Sequence, residues 1–148
     1  VKKLWIAWLT MAVMLFSDTQ LSNPKPNIDN PRQFIFPITS DDEYEISHVL
    51  SSASNVMKFY GPQMCEVAIV CYGKGIKAVL KESHFFDTTI QPRLKSLMTY
   101  DVEFIACGNT MRTYNIDKKA LLENVEVVTA GIVELIERQV GGWIYIRP

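Results

Sequence analysis

The sequence predicts an α/β fold, a three-layer αβα sandwich around a five-stranded, mainly parallel sheet. Three observations predict it. Short apolar runs alternate with longer stretches whose apolar residues recur every three or four positions. The run VAIVC, 67–71, is apolar throughout, which suits a strand buried on both faces. A chain of 148 residues with 48% hydrophobic content is long enough for one domain with a sizeable core.

The elements follow in order. QFIFPI, 33–38, reads as a first strand ended by Pro37. Thr39, Ser40, Asp41 and Asp42 offer helix caps, and Glu43 stands three residues after Ser40, as a capping box requires. Ile46, Val49, Leu50, Ala53, Val56, Met57 and Tyr60 then recur at helical spacing until Gly61-Pro62. Residues 65–71 form a second strand. A second helix opens at 76–80, and a third spans 91–100 with Leu94, Leu97 and Met98 inward. VEFIAC, 102–107, is the third strand. A short helix is expected at 117–123, with Asn115 near its cap. VEVVTAG, 125–131, is the fourth strand, 132–140 a helix stopped by Gly141-Gly142, and WIYI, 143–146, the fifth strand.

The first 16 residues stand apart. Val1-Lys2-Lys3 is basic, and LWIAWLTMAVMLF, 4–16, is apolar except for Thr10. A charged start, a short apolar run and a polar flank are the layout of a secretory signal. The run is shorter than the roughly 20 residues that span a bilayer. No A-x-A-like cleavage site follows, so a signal peptide and an uncleaved N-terminal anchor both stay open. The expected location is periplasmic or otherwise exported, with membrane contact only through an uncleaved N-terminus. Residues 17–32 hold three prolines and three asparagines and read as a linker. The domain then occupies 33–148.

Net charge is −1 and the pI about 6.1. With Lys and Arg scattered, no basic surplus argues for nucleic acid. His48 and His84 lack Cys or His partners at metal-ligand spacing, so no metal and no cofactor are expected. Gly73-x-Gly75-x-x-Ala78 mimics a dinucleotide fingerprint. It follows the second strand rather than the first, and Cys107 stands where a ribose-binding acid would end the next strand.

In parallel sheets, sites lie beyond the carboxyl ends of the strands. Those ends carry Tyr72, Gly73 and Lys74 after the second strand, Cys107, Gly108, Asn109 and Thr110 after the third, and Thr129 after the fourth. Cys107 is the candidate catalytic residue. A helix-like run follows it, and backbone N–H groups at a helix start stabilise a thiolate. Arg112, one turn on, would add to this if it pointed back. The competing reading is a buried structural cysteine, a common fate of that residue type. Cys71 is a candidate helper if the second and third strands are neighbours, although a core residue is the simpler reading. Cys65 and Cys71 would lie about 20 Å apart along one strand, too far for a disulfide that needs Cα atoms within about 7 Å.

Three stretches, VAIVCYGKGIKAVL, DVEFIACGNTMRTYNID and VVTAGIVELIERQVGGWIYIRP, resemble the DsrE/DsrF-like family, in particular its exported single-domain members. The last stretch, with its terminal Trp-x-Tyr-x-Arg-Pro, is the most specific. The resemblance implies a three-layer αβα fold and homo-oligomers, trimers or hexamers. It also implies a persulfide-carrying cysteine after the third strand, where Cys107 stands, with Gly108, Asn109 and Thr110 around it. Exported relatives tend to carry Ala-His-Gly where this chain has Cys71-Tyr72-Gly73, so a histidine acid–base partner is missing. The expected function is sulfur handling by an exported protein, with persulfide on Cys107 and an unspecified sulfur donor or acceptor. The alternative is a non-catalytic, homo-oligomeric module that binds a small ligand at Tyr72, Lys74, Asn109 and Thr129 while Cys107 is structural. A Cys71–Cys107 dithiol ranks last because it lacks C-x-x-C spacing.

Overall fold

In the computed structural model, residues 17–81 and 89–148 are described. The expected signal or anchor at 1–16 and His84 lie outside the described residues. Five strands form one all-parallel sheet: β1 (Arg32–Ile38), β2 (Cys65–Cys71), β3 (Glu103–Cys107), β4 (Val125–Val128) and β5 (Ile144–Tyr145). Their order is β4-β3-β2-β1-β5. The chain steps outward from β1 to β4 and then returns to pair β5 on the other side of β1. The strand order therefore reverses between β1 and β5.

Side chains alternate across each strand, so the sheet has two distinct faces. Phe34, Phe36, Val67, Ile69, Cys71, Phe104 and Ala106 point to one face. There they meet the inward residues of α1 (Glu43–Tyr60) and α2 (Ile90–Met98). Ile35, Ala68, Val70 and Ile105 point to the other face and meet Leu135 of α4 (Gly131–Val140). A short helix, α3 (Gly108–Thr113), leaves the end of β3 and tucks Met111 into the larger core. Arg138 ties α4 down near the start of β3. It contacts Glu103 and Glu134 at 2.7 Å each and lies 4.4 Å from the centre of the Trp143 ring.

Several local expectations change. Pro37 lies inside β1 rather than ending it. Ile35 O accepts from Ile146 N–H, so the odd residues of β1 present their backbone toward β5. The Pro37 nitrogen thus faces past the last β5 pairing, where no donor is needed. The cap of α1 is Asp42, whose carboxylate accepts from Glu45 N–H at 3.0 Å. Ser40 lies two residues too early to be the cap and instead accepts from Asp42 N–H at 3.0 Å. The expected helix at 76–80 is a 3-10 segment, Gly73–Val79. A Cβ on Gly75 would lie 2.0 Å from Ile38 O, so this backbone is pressed against the end of β1. The short helix after 117 is also 3-10, Lys118–Ala120. It is capped by Asp117, while Asn115 takes a left-handed turn with φ 53°. Residues 17–31 form no regular element beyond an Asn27–Asn30 bridge, and Arg32 holds Ser22 O at 2.7 Å. Among the described residues no helix is long and apolar enough to cross a membrane.

Candidate functional site

Cys107 ends β3 and caps α3, so its sulfur sits where a strand turns into a helix. The Thr110 N–H donates to its Sγ at 3.5 Å. The start of α3 is bound to the end of β4, because Asn109 N–H donates to Thr129 O at 3.1 Å. A side chain at position 108 would not fit there, since its Cβ would lie 2.8 Å from Val128 O. The first residue of α4 closes the other side. A Cβ on Gly131 would meet Val70, Cys107 and Tyr72 at 3.1, 3.2 and 3.3 Å. Two helix starts therefore converge on one sulfur, and glycine makes each approach close enough.

The acidity of Cys107 follows from this arrangement. Burial, the largest single influence, pushes the thiol up. The N–H of Gly131, the Thr110 hydroxyl and the N–H groups of Thr110 and Asn109 together outweigh it. The net result lies below the ordinary 9.0. The Thr110 hydroxyl can donate to sulfur because its oxygen is already engaged, accepting from Gly73 N–H at 3.0 Å. A chain of donors thus runs from the end of β2 through Thr110 to Cys107. Cys107 is 6% exposed, so its thiol is sheltered.

The other sequence candidates fall into separate groups. Gly73 and Thr110 act in the donor chain, and Thr129 serves through its carbonyl. The Asn109 side chain accepts from Arg112, so that arginine is engaged beside α3 and does not act on the sulfur. Lys74 is exposed and its charge acts on Asp41, which Lys77 pairs at 2.6 Å. Cys71 is on a neighbouring strand, the condition for a helper, but its register partner is Ala106 and it points into the α1 core with no exposure. Cys107 points toward α4. The two thiols leave the sheet on opposite faces, and the described cysteines are all free. His48 is exposed beside Tyr44, with ring centres 6.1 Å apart. No group of three metal-ligating side chains occurs among the described residues.

Two residues outside the sequence candidates join the site. Burial raises the Tyr72 phenol, the nearby Tyr145 raises it further, Arg147 lowers it and Cys107 raises it. Tyr72 thus stands within electrostatic reach of Cys107 on one side and of the tail after β5 on the other. The signal was in the sequence, in the terminal Trp-x-Tyr-x-Arg-Pro. It could not be used without knowing that β5 returns beside β1.

Residues 34–148 match the DsrE/DsrF-like family. The chain belongs to that family. A solved structure of a protein of unknown function, MTH1491 from Methanobacterium thermoautotrophicum, is similar, with 31% sequence identity and a TM-score of 0.72. The similarity covers 79% of this chain and 99% of that chain. No curated protein matches this chain. Membership of the DsrE/DsrF-like family suggests a sulfur-relay-like role.

Proposed function

We propose that this DsrE/DsrF-like protein carries sulfane sulfur as a persulfide on Cys107. The observation that carries the reading is the contrast among three cysteines. Cys65 and Cys71 are held above the ordinary thiol range by burial, whereas donors from two helix starts bring Cys107 below it. A thiolate is the species that attacks sulfur. The Cys107 thiolate attacks the outer sulfur of a donor persulfide. A new sulfur–sulfur bond forms on Cys107, the donor's sulfur–sulfur bond breaks, and the electron pair leaves on the donor thiolate. No oxidant is needed, and no acid–base histidine is required.

Self-association belongs to the same proposal. Ile132, Ile136 and Val140 recur every four residues along the outer side of α4, beside Val133, and they are 49–78% exposed. One helix thus covers its face of the sheet and presents a second apolar stripe outward. A second copy of this chain is the proposed cover.

The test is the intact mass of the pre-reduced protein after exposure to inorganic polysulfide, with peptide mapping. Sulfur added in 32-Da steps on Cys107 supports the carrier (~32 Da per sulfur atom transferred). An unmodified Cys107, under conditions in which glutathione is persulfidated, rejects it. The low exposure of Cys107 favours a second reading, a ligand-binding module with that cysteine packed, which the same negative result would select.

A further inference from the structure

The strand order leaves a second opening, on the face opposite Cys107. In open α/β sheets ligands bind beyond the carboxyl ends of the strands where the order reverses. Here that point is between β1 and β5. The two strands part there for a reason written in the sequence. Ile146 N–H donates to Ile35 O at 2.9 Å, and the next bond of a parallel ladder would need an N–H at Pro37, which has none. The chain after Ile146 therefore leaves the sheet. A cavity of about 380 Å³ opens beside it, on the α1 side. Thr39 and Ser40 line it from the end of β1, Tyr44, Glu45 and His48 from the first two turns of α1, and Arg147 from the tail. Cys107 and Tyr72 are not part of this lining.

The lining carries two opposite charges that do not meet. The Arg147 guanidinium makes no hydrogen bond or ion pair among the described residues, and neither does the Glu45 carboxylate. The two stand in one cavity, farther apart than an ion pair allows. The other charges nearby are engaged. Asp41 pairs with Lys77 at 2.6 Å, and the Asp42 carboxylate caps α1. Arg32, Arg93, Arg112 and Arg138 each hold a partner elsewhere. Both free groups stand on fixed backbone. Glu45 N–H donates to Asp42 at 3.0 Å, and Arg147 follows directly on the bonded Ile146. Ser40 Oγ accepts from Asp42 N–H, which leaves its own O–H to donate. Tyr44 and His48, with ring centres 6.1 Å apart, add an aromatic wall.

We propose that this cavity binds a small zwitterion of the α-amino acid class, with Arg147 holding its carboxylate and Glu45 its ammonium. The site is independent of the sulfur chemistry at Cys107. A planar guanidinium matches a carboxylate through two parallel hydrogen bonds, and a carboxylate accepts from an ammonium. A plain anion would satisfy Arg147 but meet repulsion from Glu45, and a plain cation would meet the reverse. A molecule carrying both charges satisfies both walls, so the unlike pair acts as a filter against either single charge. The volume lies near the lower end of the range for small-molecule sites, about 300–1,000 Å³, which suits a molecule of amino acid size.

The test titrates the pre-reduced full chain at neutral pH with alanine, propionate and ethylamine. Propionate is alanine without its ammonium, and ethylamine is alanine without its carboxylate. Binding is read by NMR from the Arg147 Nε–H and from the Thr39 and Ser40 amide signals. Alanine should give a saturable shift. Each single-charge probe should bind at least about tenfold more weakly, the loss expected for one hydrogen-bonded charge. Arg147→Gln should lower the alanine affinity to that of ethylamine, and Glu45→Gln should lower it to that of propionate. An affinity for propionate or ethylamine equal to that for alanine would reduce the cavity to a single-charge site and overturn the proposal. A non-saturating drift with all three probes would overturn it as well. The comparison of probes needs no variant, so a substitution that disturbs folding does not decide the outcome. Polysulfide loading of Cys107 is read separately by mass, so either site can fail while the other stands.

Discussion

The two faces of the sheet treat the same residue type in opposite ways. Cys71 ends β2 and Cys107 ends β3, on neighbouring parallel strands. Cys71 points into the core built with α1 and α2, has no exposure, and its thiol is pushed up to about 12 by burial alone. Cys107 points toward α4, where glycines let two helix starts close on the sulfur and backbone donors draw its pKa below 9.0. Proximity in the fold is therefore not what makes a cysteine reactive. The deciding quantity is the supply of donors to the charged form, and only one face supplies them.

The largest effect that tests this contrast is all-or-nothing. Cys107→Ser should abolish persulfide loading, whereas Cys71→Ala should load normally, both read by intact mass. Loading that survived in Cys107→Ser would place the chemistry on the other face and break the comparison.

The next effect concerns the outer surface of α4. Ile136→Lys puts a charge in the middle of the α4 stripe and should shift the protein to a smaller species in sedimentation velocity, without loss of far-UV helicity. A wild-type chain that sediments as a monomer would instead reject self-association through α4.

Alkaline stability sharpens the contrast with a signed effect. Above pH 9.0 the unfolded chain releases the Cys71 proton, while the folded protein retains it until about pH 12. Stability should therefore fall as pH rises through that window, by about 1.4 kcal/mol per pH unit from this residue. Urea titrations at rising pH should show a shallower loss in Cys71→Ala. Cys107 has the opposite sign. Its lowered pKa stabilises the fold above about pH 9, and that contribution is lost as the pH falls through the folded value.

The smallest effect comes from the donor chain. Thr110→Val removes the hydroxyl that accepts from Gly73 and donates to Cys107. The pH profile of Cys107 alkylation by iodoacetamide should move upward, and stability should drop by about 1 kcal/mol for the orphaned Gly73 N–H. Thr110→Ser should retain most of both. An unmoved profile would leave the backbone N–H groups alone responsible for the acidity.

The sequence by itself determined the parts of this protein that depend on local period. Runs such as 67–71 and 102–107 could only be strands of a buried parallel sheet, and 43–60 could only be a helix with one wet side. It also placed Cys107 between a strand end and a helix start, because that junction is written in consecutive residues. Where non-local contacts compete, the local pattern was overruled. The backbone at Gly75 presses on Ile38, and 73–79 winds as 3-10 rather than α. Only the tertiary structure decided that Cys71 and Cys107 face opposite ways, because that depends on the register between strands more than 30 residues apart. The return of β5 to β1, which sets Arg147 beyond that strand's end, was likewise invisible beforehand. The physical reason is the same for both. Side-chain alternation and helical pitch are properties of a chain segment, whereas strand order and register are set by which crossovers bury the most apolar surface in the whole molecule.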